Sequence, residues 1–164
     1  MKPKLKPFLP VFLALATSLA VAGCDFLSPE PTIDYIGVYT LTQFAGANVP
    51  GTIYEDQYYR QEVISATLQI HNLSFGDLAF GTYTKTAVIR NTNLSTGEVT
   101  EETMVVEGDI RMFYDAGTEG QVATLYVGQT TQVFMAGTYG TEPGGAKRIN
   151  LTSPGESNTW KFVK

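Results

Sequence analysis

Ile64-Ser65-Ala66-Thr67-Leu68-Gln69-Ile70-His71 places an apolar residue at every second position and a polar one between each pair. A period of two belongs to extended chain, where successive side chains point to opposite faces. The stretch therefore predicts a half-buried strand, with Ile64, Ala66, Leu68 and Ile70 on the inner face and His71 on the polar one. No window of about ten residues shows a comparable helical period, and neither strict repeats nor low-complexity tracts are present.

The same alternation extends in both directions. Gly37–Phe44 reads as a first strand, broken by Gly46-Ala47-Asn48-Val49-Pro50-Gly51. After a turn over 72–77, residues 78–91 are long enough for one long strand. Asn93-Leu94-Ser95-Thr96-Gly97 is the next turn, where Gly97 can supply a positive φ. A return strand is expected over 98–106. A separate one is expected over 109–115, where Ile110, Met112 and Tyr114 alternate with Asp109, Arg111 and Asp115. Segments 121–127 and 131–138, parted at Gly128-Gln129, read as a hairpin. Lys147–Thr152 and Thr159–Val163 read as the last hairpin, across Ser153-Pro154-Gly155-Glu156-Ser157-Asn158. Segment 52–61, with Tyr54, Tyr58, Tyr59 and Arg60, reads as a long loop, a lid or a short helical turn. β-branched and aromatic residues between Gly-rich turns support strands throughout. The expected fold is all-β, an antiparallel up-and-down meander of about eight strands. Closing it into a barrel removes its exposed edges. Inward positions such as Ile64, Leu68, Ile110, Met112, Leu125 and Val127 would then fill the centre.

The N-terminus is of another kind. Lys2, Lys4 and Lys6 precede an apolar run of 15 residues, Phe8 to Ala22, interrupted by Pro10, Thr17 and Ser18. A basic start and a short apolar run describe a secretory signal. A span of the bilayer needs roughly 20 apolar residues, so a permanent transmembrane helix is the weaker reading. The run ends in Val21-Ala22-Gly23-Cys24. This tetrad resembles the lipobox of bacterial lipoproteins. The resemblance implies cleavage between Gly23 and Cys24, diacylglycerol on the Cys24 sulfur and acylation of the new amine, palmitate being a typical chain. Cys24 is the sole cysteine, so no internal disulfide is available and lipidation gives the thiol a use. Two or more acyl chains anchor a protein stably, each methylene contributing roughly 0.8 kcal/mol. The expected organisation is a signal peptide over 1–23, a lipidated cysteine and Pro-containing tether over 24–34, and one β-barrel domain over 35–164. The expected place is the cell envelope: the periplasmic side of the inner or outer membrane, or the cell surface. Asp25 resembles the inner-membrane retention signal of enteric bacteria.

Within 35–164, Gly37-Val38-Tyr39-Thr40-Leu41, the turn Asn48-Val49-Pro50 and the final Trp160-Lys161-Phe162-Val163-Lys164 resemble a lipocalin-like domain of small bacterial lipoproteins. That resemblance implies a small closed barrel and, inside it, room for a small apolar or amphipathic ligand.

Cleavage would leave 141 residues, enough for one domain with a usable core. Eight basic against sixteen acidic residues then give a net charge of −8. With no basic cluster, nucleic acid is excluded as a partner. Anionic head groups offer such a chain nothing, so attachment falls to the acyl chains on Cys24.

Catalytic candidates are few. Glu98, Glu101, Glu102, Glu107 and Asp109 form an acidic stretch. Glu101 and Glu102 point to opposite faces of a strand, and no Asp-x-Asp-x-Asp-Gly loop is present, so a solvated strand face is expected there. The lone His71 has no second ligand for a metal and no nucleophile motif beside it. Asn72, Asn93 and Asn150 match a glycosylation acceptor pattern and read as turn residues. Gly144-Gly145 before Lys147 and Arg148 lacks the order of a P-loop. No enzyme, metal or cofactor is expected. Tyr54, Tyr58 and Tyr59 are the candidate ligand residues, as a lid at a barrel mouth, and their alternative role is to plug it. A protein partner, if there is one, is not specified. The choice between a ligand-binding barrel and a filled barrel that acts through its surface turns on an internal cavity.

Overall fold

The computed structural model describes residues 35–74, 78–115 and 120–164. The signal segment, Gly23, Cys24 and the tether lie outside the described residues. Ten strands follow one another: β1 (Gly37–Phe44), β2 (Ala47–Asn48), β3 (Gly51–Glu55), β4 (Tyr59–Leu73), β5 (Leu78–Asn93), β6 (Val99–Asp115), β7 (Gly120–Tyr126), β8 (Val133–Thr141), β9 (Lys147–Thr152) and β10 (Thr159–Val163). The described residues contain no α-helix.

All the pairs are antiparallel. The sheet runs β2-β1-β10-β9-β8-β7-β6-β5-β4-β3, and a further β1–β4 pairing closes it. β1 meets β4 from Gly37↔Ile70 to Thr40↔Thr67, and meets β10 from Thr40↔Val163 to Phe44↔Trp160. The result is a closed eight-stranded up-and-down barrel, built from β1 and β4–β10, with β2 and β3 as short additions at one end. It has the form expected of a lipocalin-like barrel. The buried apolar residues among those described form one hydrophobic cluster.

Several boundaries differ from the sequence expectation. Residues 98–106 and 109–115 belong to one uninterrupted strand, β6, because β5 pairs with it from Val99 to Phe113 without a shift. Segment 52–61 holds no helical turn: β3 and the start of β4 form a hairpin, with Glu55↔Arg60 as its outermost pair. Ile64 does not enter the core. A bulge between Val63 and Ser65 leaves it unpaired against β5 and puts the fully buried Val63 on the inner face instead. Val127 is also outside, 37% exposed, because β7 ends at Tyr126. Leu68, Ile110, Met112 and Leu125 do point inward and are fully buried.

Gly108 decides where the wall closes. It lies on the inner-facing register of β6, and an added Cβ would sit 2.0 Å from the Tyr126 carbonyl oxygen and 2.7 Å from the Gly128 nitrogen. Only a residue without a side chain lets the chain leaving β7 cross there. Asp109 N donates to Gly128 O and Gly128 N to Glu107 O, both at 3.0 Å. The buried Tyr83 hydroxyl donates to the Tyr126 carbonyl at 2.9 Å. On one side of this crossing, β6 is flanked by both β5 and β7, from Ile110↔Leu125 onward. On the other, among the described residues, Val99 to Val106 pair with β5 alone. The barrel is thus complete at one end and open along β6 at the other.

Candidate functional site at the open end of the barrel

The two ends are packed differently. In the closed half Tyr39, Tyr83, Ile70, Ile110, Met112, Leu125, Met135, Ile149 and Phe162 are all fully buried and fill the centre. Beyond Gly108 the inner face of β6 carries Val106 and then Met104, which is 51% exposed. Opposite them stand the start of β8, the β9–β10 loop and the start of β10. Between these elements lies a cavity of about 170 Å³. Ile53, Ala87, Ile89, Met104, Val106 and Phe134 give it apolar walls, and Gln61, Ser153 and Glu156 a polar rim.

Its floor is Lys85 against Trp160. Lys85 occupies the inner face of β5, between Tyr83 and Ala87, and is 6% exposed, the one buried polar or charged residue among those described. Its Nζ stands 3.8 Å from the centroid of the Trp160 ring and 5.5 Å from that of Phe134. These are cation–π contacts, which offset part of the cost of removing an ammonium from water. Burial pushes the lysine down to about 8, while the negative charge of Glu156 acts the other way. Among the described residues no acceptor bonds this ammonium, and the buried Trp160 Nε1 is likewise without a partner. The indole is fixed by an edge-on contact with Phe44, centroids 5.0 Å apart, and by stacking on Phe162 at 6.4 Å. Lys85 therefore presents to an apolar cavity an ammonium that no described acceptor bonds, while the Trp160 Nε1 beside it is sealed from solvent.

The sequence candidates stand elsewhere. Tyr54, Tyr58 and Tyr59 lie on the β3–β4 hairpin, 52%, 62% and 37% exposed. None of them lines the cavity; Ile53 and Gln61 of the same hairpin do. The hairpin tip is organised by Asp56, whose carboxylate accepts the Tyr54 hydroxyl at 2.7 Å and the Tyr58 and Tyr59 amides at 2.8 Å. Those bonds hold the Asp56 carboxyl below its usual range. Leu94 N donates to Tyr58 O at 2.8 Å, tying this tip to the β5–β6 turn.

A second depression, about 340 Å³, lies on the outer wall around His71, Thr84, Glu107, Asp109 and Gly128. His71 Nε2 and Thr84 Oγ1 are 2.8 Å apart, and the Thr84 hydroxyl donates to Glu107 Oε1 at 3.4 Å. The carboxylate reaches the hydroxyl rather than the imidazole, so His71 lacks the third group that orients a general base. These polar groups satisfy one another across three neighbouring strands. Glu98, Glu101 and Glu102 are exposed, and Arg90 forks onto Glu101 at 2.9–3.0 Å. Among the described residues no cluster of His, Cys, Asp and Glu is arranged to hold a metal.

Lys85 was legible only as an anomaly. Ala79, Tyr83, Ala87 and Ile89 mark the inward register of 78–91, and Lys85 falls on it. A charged residue in an apolar register is the signal that could have found the site.

No protein-family model, curated protein or solved structure matches this chain.

Proposed function

We propose that this protein is a lipid-anchored binding module of a bacterial cell envelope, which holds a small amphipathic ligand in the open end of its barrel. The lipobox-like Val21-Ala22-Gly23-Cys24 supports the anchor. One observation carries the binding reading: a barrel packed solid in one half keeps, in the other, an apolar cavity with a lysine at its floor and a polar rim. A barrel meant only to present its outer surface has no use for that asymmetry.

Both parts are testable. The anchor predicts that protein recovered from bacterial membranes has a mass matching cleavage before Cys24 plus acyl chains; a Cys24→Ser chain should lose that mass and its membrane attachment. For the ligand, residues 25–164 should be expressed without the anchor and weighed by native mass spectrometry before and after denaturation. A small molecule released on denaturation is expected. A bare mass, with no melting shift across a panel of acyl and isoprenoid compounds, would move the function to the outer surface of a filled barrel.

A further inference from the structure

We infer that the ligand carries a single negative charge, as a carboxylate on a short apolar chain, and that Lys85 Nζ is the donor that receives it. This rests on the binding reading above and narrows it to a ligand class.

The argument starts from cost. A charge buried without a counter-ion is among the most unfavourable features a fold can retain. Lys85 comes close to that: its side chain is buried on the inner face of β5 and bonded to no acceptor among the described residues, and the opposite charge that acts on it, Glu156 at the rim, forms no ion pair with it. Leu68 and Val106 pair beside it, so an apolar residue would suit the register. The Trp160 ring contributes its face to the ammonium but leaves its own N–H unpaired. A group that accepts a hydrogen bond and brings one negative charge satisfies the ammonium, and a carboxylate does both.

Charge count selects one negative charge over two. Among the described residues Lys85 is the only cation lining the cavity, and Glu156 stands at its rim. The net charge of the whole chain is −5. A phosphate dianion would meet one positive charge and a negative surround, whereas a carboxylate is neutralised by Lys85 alone. The walls select the rest of the ligand. Above Lys85 the inner faces of β5 and β6 offer Ala87, Ile89, Val106 and Met104, a path on which a hydrocarbon chain loses water as it passes toward the opening.

Trp160 is the sole tryptophan in the chain, so its fluorescence reports from the floor of the cavity. Residues 25–164 should be titrated at pH 7 with octanoate, 1-octanol and octylammonium, each below its aggregation limit. Three proteins are compared: the parent, Lys85→Met and Lys85→Arg. Octanoate is expected to bind the parent at least tenfold more tightly than 1-octanol. Lys85→Met should abolish that preference, bringing octanoate and 1-octanol to within about twofold of each other, and Lys85→Arg should retain most of it. Folding of each variant is checked by its melting transition; Lys85→Arg carries the comparison should Lys85→Met alter the cavity. Equal binding of octanoate and 1-octanol, or a preference for octylammonium, would overturn the carboxylate and leave the binding reading standing. No binding of any of the three, together with a bare native mass, would remove both.

Discussion

The closed and open halves of this barrel share β5 and β6 and use them in opposite ways. From Ala79 to Tyr83, β5 faces a centre filled by Ile110, Met112, Leu125 and Met135, and β6 is held by strands on both flanks. From Lys85 to Ile89, the same strand faces a cavity, and its partner is held on one flank only. The boundary is Gly108, where the chain after β7 crosses over β6. One half thus spends its inward positions on stability. The other keeps a buried lysine at the floor of a cavity, a feature that lowers stability and suits recognition. Half-packed barrels need not be accidents of a weak sequence; here the packing stops at a definite residue.

The contrast can be broken most directly by removing side chains from each half. Leu125→Ala deletes a fully buried side chain where neighbouring strands leave little room to collapse. It should cost about 3 kcal/mol and lower the melting temperature by roughly 10 °C. Met104→Ala, on the inner face of the open half but 51% exposed, should stay within about 0.5 kcal/mol. Denaturant unfolding of both variants decides the matter. Equal losses would mean the open half is packed as tightly as the closed one, and the cavity would lose its standing as a site.

Lys85 gives the next largest effect. In the unfolded chain its ammonium titrates near 10.5; in the fold, burial brings that down to about 8. Below about 8 both states hold the proton and the folded state bears the full penalty of a buried charge. Between about 8 and 10.5 the unfolded state binds the proton that the folded state has released, so stability rises with pH across that window. The total rise should be about 3 kcal/mol, at 1.36 kcal/mol per pH unit. Tyr83 acts in the opposite sense: burial foremost, with the charge of Asp109, pushes its hydroxyl up to about 12. The unfolded phenol ionises first, so this tyrosine lowers stability above about pH 10. Lys85→Met isolates the lysine, because the tyrosine is common to both proteins. The variant should be more stable than the parent at pH 7, and the difference should vanish by about pH 10.5. A difference that does not change with pH would show that the lysine keeps its ordinary proton affinity, and hence that water reaches it freely.

These two halves were not equally legible in the sequence. Alternation names the fold because a strand's period is short and local: Gly37–Phe44, Lys147–Thr152 and Thr159–Val163 appear with the bounds read from the residues. It failed where the backbone, not the side chains, sets the phase. The bulge beside Ile64 moves the core position to Val63, and nothing in Gln61-Glu62-Val63-Ile64-Ser65 announces it. The apparent break at Glu107-Gly108-Asp109 is not a turn; the glycine answers to Tyr126 and Gly128, which approach only in three dimensions. The cavity depends on which residues are missing from a shared interior, and that depends on stagger around the closed barrel. Tyr54, Tyr58 and Tyr59 drew notice as an aromatic cluster, yet the cavity takes Ile53 and Gln61 from their hairpin. The lysine that matters was hidden by its ordinariness as a single charge in a long strand.

The smallest effect tests whether the open half moves apart from the closed one. At the far end of β5 and β6, Arg90 forks onto Glu101 on the outer face, both about half exposed. Exposed ion pairs contribute about 0.5 kcal/mol, less in high salt, so Arg90→Ala should barely shift the global melting transition. The pair belongs, however, to a stretch that β7 does not support. If that stretch opens by itself, its amides exchange through a local event whose free energy is small, and a loss of a few tenths of a kcal/mol is visible there. Hydrogen exchange should then quicken in Arg90 to Thr92 and Val99 to Thr103, while Ala79, Ile110 and Leu125 keep the parent's rates. Uniform acceleration across both sets would join the halves into one cooperative unit. Local acceleration would give the cavity a wall that can part, and so a route by which an amphipathic chain enters a barrel whose other end is packed shut.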